Sequence, residues 1–210
     1  MSAPDAVELA LPFTGRWLVQ NSPASRLPSH GTDLFGTSHA IDFVPVGADG
    51  RSAPRGVSSL IGTEAPESFV GFGRPILSPV AGEILAAHDG EVDHVARRSP
   101  LSLLAYALSQ RSRIRGGAPA IAGNHVAIRA GDAVVLLAHL RRGSVRVRQG
   151  QEVGVGDLLG ECGNSGNSTE PHVHVQVSDS LTAEARGVPL VFVRPDGGRW
   201  LPLNRDVVDV

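Results

Sequence analysis

Glycine and proline interrupt this chain so often that long helices are excluded over most of its length. The 210 residues include 25 Gly and 15 Pro, with valine abundant between them. Short apolar segments joined by turns point to β structure rather than a helical bundle. With 41% hydrophobic residues the chain can bury a core, so wholesale disorder is excluded.

The segments read as follows. Phe13 to Val19 forms a first strand with Trp17 and Val19 on one face, and Ala40 to Val46 forms a compact second one. Pro75 to Ala87 reads as strand, turn at Pro79 to Gly82, strand. His125–Arg129 and Val134–Leu140 flank Gly131-Asp132, a hairpin turn. Val145–Arg148, Leu158–Cys162 and Val173–Val177 are further strands, and Leu190 to Leu203 adds a hairpin around Asp196-Gly-Gly. Two stretches, Gln20 to Thr37 and Gly47 to Phe72, read as long loops, a length that usually signals function or mobility. One helix is expected over Leu101–Gln110, capped by Ser99 with Pro100 at its first position. It belongs to a helical insertion over about 89–123 within one domain spanning 1–210, whose core runs over about 13–203.

Several classes drop out. With 19 basic and 21 acidic residues the net charge is −2, so no overall field draws nucleic acid or an anionic membrane. Every basic residue is Arg. The single Cys162 rules out an intramolecular disulfide and a Cys-rich structural zinc site. No apolar run reaches the ~20 residues of a membrane span. Met1 to Ala10 lacks the basic start and apolar core of a signal peptide, which by itself predicts a cytoplasmic chain. A monomer is expected. The eight histidines remain as the obvious reservoir of metal or acid–base chemistry.

Within Pro171-His-Val-His-Val-Gln-Val, alternation puts His172, His174 and Gln176 on one strand face and Val173, Val175 and Val177 on the other. Two imidazoles so placed need hydrogen-bond partners or a metal if they are buried. Asp42 lies in Ala-Ile-Asp-Phe-Val-Pro-Val, where its apolar neighbours imply burial; a buried carboxylate needs a cation, a metal or several donors. His139, at the end of an apolar strand, is either a satisfied core histidine or a general acid or base.

Four segments in order resemble the lysostaphin/LytM-type zinc endopeptidases that cut peptidoglycan peptides: Ala40-Ile-Asp-Phe, Pro79-Val-Ala-Gly-Glu-Ile, Ala138-His-Leu, and Gly163-Asn-Ser-Gly-Asn-Ser-Thr-Glu-Pro-His-Val-His-Val-Gln-Val. Gly123-Asn-His-Val-Ala-Ile and Val147-Arg-Gln-Gly-Gln-Glu-Val fit as well. The resemblance implies an antiparallel β sandwich of the duplicated-hybrid-motif type. It also implies one Zn2+ ion on two His and one Asp with an open position for water, the catalytic pattern of ligation. Asp42 and His174 would be ligands, and His139 and His172 the catalytic histidines that move a proton and stabilise the oxyanion. The substrate would be peptidoglycan cross-bridges or stem peptides. That substrate lies at the cell wall, in tension with the missing signal peptide.

The chain departs from the family at the third ligand. The family's first motif is His-x-x-x-Asp, but His39 stands three residues before Asp42. On an extended strand that offset puts the two side chains on opposite faces. His30, in the preceding loop beside Gly31, is the rival and the preferred third ligand, since a loop can deliver a side chain from any direction. The irregular motif also leaves open a catalytically degenerate family member acting as a binding or regulatory module. A carrier-type domain fails because it needs a lysine to modify. His88 and His94, with the acidic residues between them, read as a solvated loop or a second metal group. Cys162 reads as a small buried hydrophobe. The polar stretch from Asn164 to Thr169 is expected to orient His172 and line the groove, which the insertion and the Gly47–Phe72 loop would wall.

Overall fold

The computed structural model of the protein describes residues 6–54, 56, 62–99, 117–194 and 196–210. Along the chain lie β1 (Val7–Leu9), β2 (Arg16–Gln20), a 3-10 segment over Leu34–His39, and β3 (Ile41–Pro45). After them come β4 (Pro75–Leu77), β5 (Gly82–His88), the short helix α1 (Gly117–Ala122), β6 (Asn124–Ala130) and β7 (Ala133–Leu140). The remaining strands are β8 (Glu152–Val153), β9 (Leu158–Glu161), β10 (Val173–Ser178), β11 (Leu190–Val193), β12 (Arg199–Trp200) and β13 (Val207–Asp209).

An eight-stranded sheet of order β13-β2-β3-β10-β7-β6-β5-β8 dominates, accompanied by a three-stranded sheet, β1-β11-β12, and the pair β4-β9. The ladders are antiparallel apart from β1–β11, so the mainly β, antiparallel architecture is as expected. The large sheet turns one face inward. Ile41, Phe43, Val126, Ile128, Val135, Leu137, Val173, Val175 and Val177 pack there, against Leu9 and Phe192 of the small sheet and Ile76 and Leu159 of the pair. Phe43 meets Phe192 edge-on at 5.4 Å between ring centroids, joining the two layers.

Alternating side-chain direction explains the central strands, which are buried on both faces: every residue of β3 and β10 is buried. The three valines of β10 are fully buried, as their alternation predicts. Residues 131–132 make the two-residue turn between β6 and β7, with Ala130 opposite Ala133. The hairpin around Asp196 is formed by β11 and β12.

Other expectations change. The first strand of the large sheet begins at Arg16, not Phe13, whose ring instead stacks on Trp17 at 4.2 Å. The short strand β1 is an addition. Val145–Arg148 forms no strand; Arg146 N–H reaches Leu159 O as a single bond. Glu152–Val153, inside the turn-rich stretch, pairs with β5. The turn at Pro79 separates β4 from β5, which join different sheets. The expected helix over Leu101–Gln110 lies outside the described residues; α1 is the helix seen in the insertion.

Candidate metal centre

The outer face of the large sheet forms a groove of about 710 Å³, floored by Val44, Ala86, Leu136 and Ala138. Asp42 and His174 face into it for a simple reason. They sit directly opposite each other in the β3–β10 ladder, and cross-strand partners share a face. Their neighbours Ile41, Phe43, Val173 and Val175 point the other way into the core. His174 Nδ1 lies 2.9 Å from Asp42 Oδ1.

His30 arrives from the loop between β2 and β3. Its Nε2 stands 3.0 Å from Asp42 Oδ2. Together His30, Asp42 and His174 offer three ligand atoms within 4.8 Å of one another, a group that could hold a metal ion. His39 is not in this group. It closes the 3-10 segment, and its Nδ1 meets Ser38 Oγ at 3.2 Å. The offset from Asp42 thus leaves it off the shared face, and no bend restores it.

His139 reaches the groove by a local defect. Ala138 is the cross-strand partner of His174 and lies on the groove floor, so strict alternation would send His139 into the core beside Leu137. Instead His139 adopts φ 65°, and β7 holds one residue more than β6 between the pairs Asn124–Leu140 and Val126–Leu137. This bulge re-aims the imidazole outward. Its Nδ1–H donates to Ser165 O at 2.9 Å, and its ring lies 4.7 Å from that of His172.

His172 precedes β10 and is held from behind. Ser168 Oγ donates to Glu170 O, so its lone pair is free to accept from His172 Nδ1 at 3.0 Å; Glu170 O accepts from the same nitrogen at 2.8 Å. In both His139 and His172 the bound Nδ1–H leaves Nε2 as the available base. The polar stretch before β10 holds His172 through Ser168 and, beyond what the sequence led one to expect, His139 through Ser165 O, while Asn167 and Thr169 line the groove.

Burial and charge compete at Asp42. Burial alone would raise its pKa, but His30 and His172 beside it, with hydrogen bonds from His174 and His30, hold the carboxyl well below its ordinary value. Burial, then the neighbouring His172 and His174, push His139 well below the usual imidazole value despite Asp42 and the Ser165 bond. His139 is therefore neutral near pH 7.

The wall of the groove includes Ile121 and Ala122 of α1. No described residue of the Gly47–Phe72 loop lines it, contrary to expectation; Ser52 acts one step removed, donating to the Glu170 carboxylate at 2.6 Å. Among the described residues no second metal group forms around His88 and His94: His88 stacks on His125, and His94 bonds Gly166 O. Cys162 is fully buried, and burial drives its thiol pKa far up, so it is inert as a nucleophile.

Sequence reasoning passed over two groups. Asn21 donates to Asp42 Oδ2 at 2.7 Å from a left-handed backbone with φ 49°, a conformation Asn tolerates. Ser29 meets His30 Nδ1 at 3.0 Å. Neither lies in a patterned segment, so no periodicity could have marked them.

The sequence model described as Peptidase family M23 matches residues 70–185, more than half of the chain. The chain belongs to peptidase family M23. The M23 match takes in His139, His172 and His174, and begins after His30 and Asp42. Among solved structures, the chain is similar to the catalytic domain of a mutant prophage-encoded M23 protein, EnpA, from Enterococcus faecalis. The identity is 19%, over 86% of this chain and 93% of that one, with a TM-score of 0.46. It is also similar to the catalytic domain of lysostaphin from Staphylococcus simulans, at 16% identity over 75% and 86% with a TM-score of 0.40. A putative glycyl-glycine endopeptidase lytM from Ruminococcus gnavus gives 18% identity over 71% and 42%, with a TM-score of 0.38.

Proposed function

We propose that this M23 chain is a zinc metalloendopeptidase that cleaves peptide bonds in peptidoglycan cross-bridges or stem peptides. The observation that carries the reading is the convergence of His30 Nε2, the Asp42 carboxylate and His174 Nδ1 from a loop and two neighbouring strands. Two imidazole nitrogens and one carboxylate oxygen, facing an open groove, suit zinc with a position left for water.

Bound there, zinc would polarise the scissile carbonyl and lower the pKa of a coordinated water. The rest is work for the chain's own atoms. His139 and His172 present Nε2 to the groove, where one takes the proton of the attacking water and the protonated ring donates to the oxyanion or the departing amine. Backbone acceptors at Ser165 and Glu170 fix both tautomers in advance, so no ring must turn over during the reaction. The groove suits an uncharged peptide backbone. Its floor is apolar, and among the described lining residues there is neither Arg nor Lys to bind an acidic group. Among the described residues no helix is long and apolar enough to cross a membrane.

The test is hydrolysis of purified peptidoglycan, read by mass spectrometry of released fragments. A strong chelator should abolish it and zinc should restore it; undiminished turnover in chelator would refute the metal mechanism. A second reading, a non-catalytic binding module, is favoured by the displaced histidine of the first motif, His39, which stands off the Asp42 face. Stoichiometric zinc after chelator-free purification separates the two.

A further inference from the structure

We propose that the turn formed by residues 35–37 is a shared positioning element that selects which nitrogen of His30 and of His174 faces the metal. The inference rests on the zinc reading above and extends it to residues outside the ligand set.

Two neutral relays carry it. Phe35 O can only accept, so the Gln176 side chain must turn its Nε2–H2 toward it, at 2.7 Å. That fixes Gln176 Oε1 toward His174 Nε2 at 3.2 Å, and an amide oxygen there demands an N–H. When a metal replaces the proton that His174 shares with Asp42, the ring is left with a bare Nδ1, the atom beside Asp42 Oδ1. The second relay is built from a hydroxyl. Ser29 Oγ gives its one proton to Thr37 O at 3.1 Å. Toward His30 Nδ1 it can therefore only accept, so that when a metal replaces the proton shared with Asp42 Oδ2 it is His30 Nε2 that is bare. The two rings thus present opposite nitrogens, and each choice traces to a carbonyl on the same turn.

The turn's backbone is unusual in the same place. Phe35 and Gly36 are consecutive left-handed residues, with φ 57° and 75°. A bulky aromatic residue adopts this conformation rarely, and such outliers concentrate at functional sites. The conformation presses the turn onto β10. A Cβ on Gly36 would lie 3.2 Å from Gln176 Nε2 and 2.9 Å from Ser178 Cβ, so only glycine allows the approach that brings Phe35 O to Gln176. Outer-shell partners of this kind orient metal ligands and are worth about 10–100-fold in affinity.

The experiment uses the full chain loaded with zinc. Long-range proton–nitrogen correlation should find the proton of His30 on Nδ1 and that of His174 on Nε2; the reverse assignment at either ring would overturn the proposal. Zinc affinity, measured by competition with a chromophoric chelator, should fall about 10–100-fold in Gln176→Met and in Ser29→Ala. Gln176→Glu, which keeps an acceptor oxygen under His174 but offers Phe35 O no donor, should lose less zinc affinity than Gln176→Met. Folded Gln176→Met and Ser29→Ala chains that bind zinc like the parent would sink the idea while leaving the zinc reading intact. If a variant does not fold, the tautomers of the parent chain decide. A parent chain that takes up no zinc overturns both readings together.

Discussion

Two groups of histidines share the large sheet, and only one of them surrounds a carboxylate. Around Asp42 four imidazoles converge, and each has one nitrogen engaged by a neutral acceptor. Two ladders away His88 and His125 are cross-strand partners with rings stacked at 5.5 Å. His125 Nδ1–H donates to Gly123 O at 2.7 Å, while among the described residues His88 Nε2 is buried without a hydrogen bond, with the surface Glu91 at 3.6 Å. Burial, and then the His88 charge, lower the pKa of His125 against the Gly123 bond, as burial does for His139. The two groups are thus alike in bringing imidazole rings together, at 4.7 Å for His139–His172 and 5.5 Å for His88–His125, but the rings around Asp42 are tilted or edge-on and more deeply buried. They differ in the buried carboxylate and in the relays that leave a chosen nitrogen bare. The difference teaches that neighbouring histidines alone do not make a group that could hold a metal; a desolvated anion held against them does.

The sharpest way to break this contrast is Asp42→Ala. It should strip stoichiometric zinc and lower hydrolysis on the order of 10³-fold or more, since several kcal/mol of charge stabilisation go with the metal. His125→Ala, checked by the same metal analysis, should leave zinc content unchanged. Equal zinc in both variants would erase the distinction.

Next in size come His139→Ala and His172→Ala. Each should retain zinc and lose about 10²–10⁴-fold in turnover, the ordinary worth of a positioned acid or base. Loss of metal from either variant would move that residue into the ligand set.

A subtler comparison sets His30 against His39. Metal content should fall below stoichiometric in His30→Ala and stay full in His39→Ala; full zinc without His30 would return the third ligand to the strand-proximal histidine. Burial lowers His39 as well, against the pull of Asp33, so its loss removes no resident charge near pH 7.

The smallest effect concerns pH. His139 and His125 have folded pKa values below their unfolded ones, so the unfolded chain binds more protons as pH falls through the ordinary histidine range near ~6.5. The metal-free chain should therefore lose stability on acidification from neutrality, by at most about 1.4 kcal/mol per pH unit for each group. Asp42, depressed below the carboxylate range, acts further down: its contribution is present above its unfolded value near ~3.9 and is lost as pH falls through its folded value. Denaturant unfolding of the parent and of His125→Phe at pH 7.5 and about 5.5 checks the sign. A parent slope that does not shrink in the variant would show that His125 plays no part.

The legibility of the site follows the range of the interactions that build it. Residues on β10 could be sorted from the chain alone, because the valines and polar residues alternate and a pleated strand has no other way to arrange them. Asp42 stood out because an acid between Ile41 and Phe43 has to be buried. The family was legible from the same segments. Alternation failed at His139, where an extra residue in β7 reverses the side chain's face, and a bulge is specified by how two strands are paired rather than by either one.

The sequence by itself determined a β protein with a histidine-bearing strand beside an acid-bearing one, because strand periodicity and the cost of burying charge act within a few residues. The tertiary structure alone decided that His30 rather than His39 meets Asp42, that the bulge turns His139 outward, and that the turn at residues 35–37 stands behind two imidazoles. Those are contacts between loops and strands distant in the chain, and they are set by where the packed sheet brings backbone carbonyls, not by any local pattern.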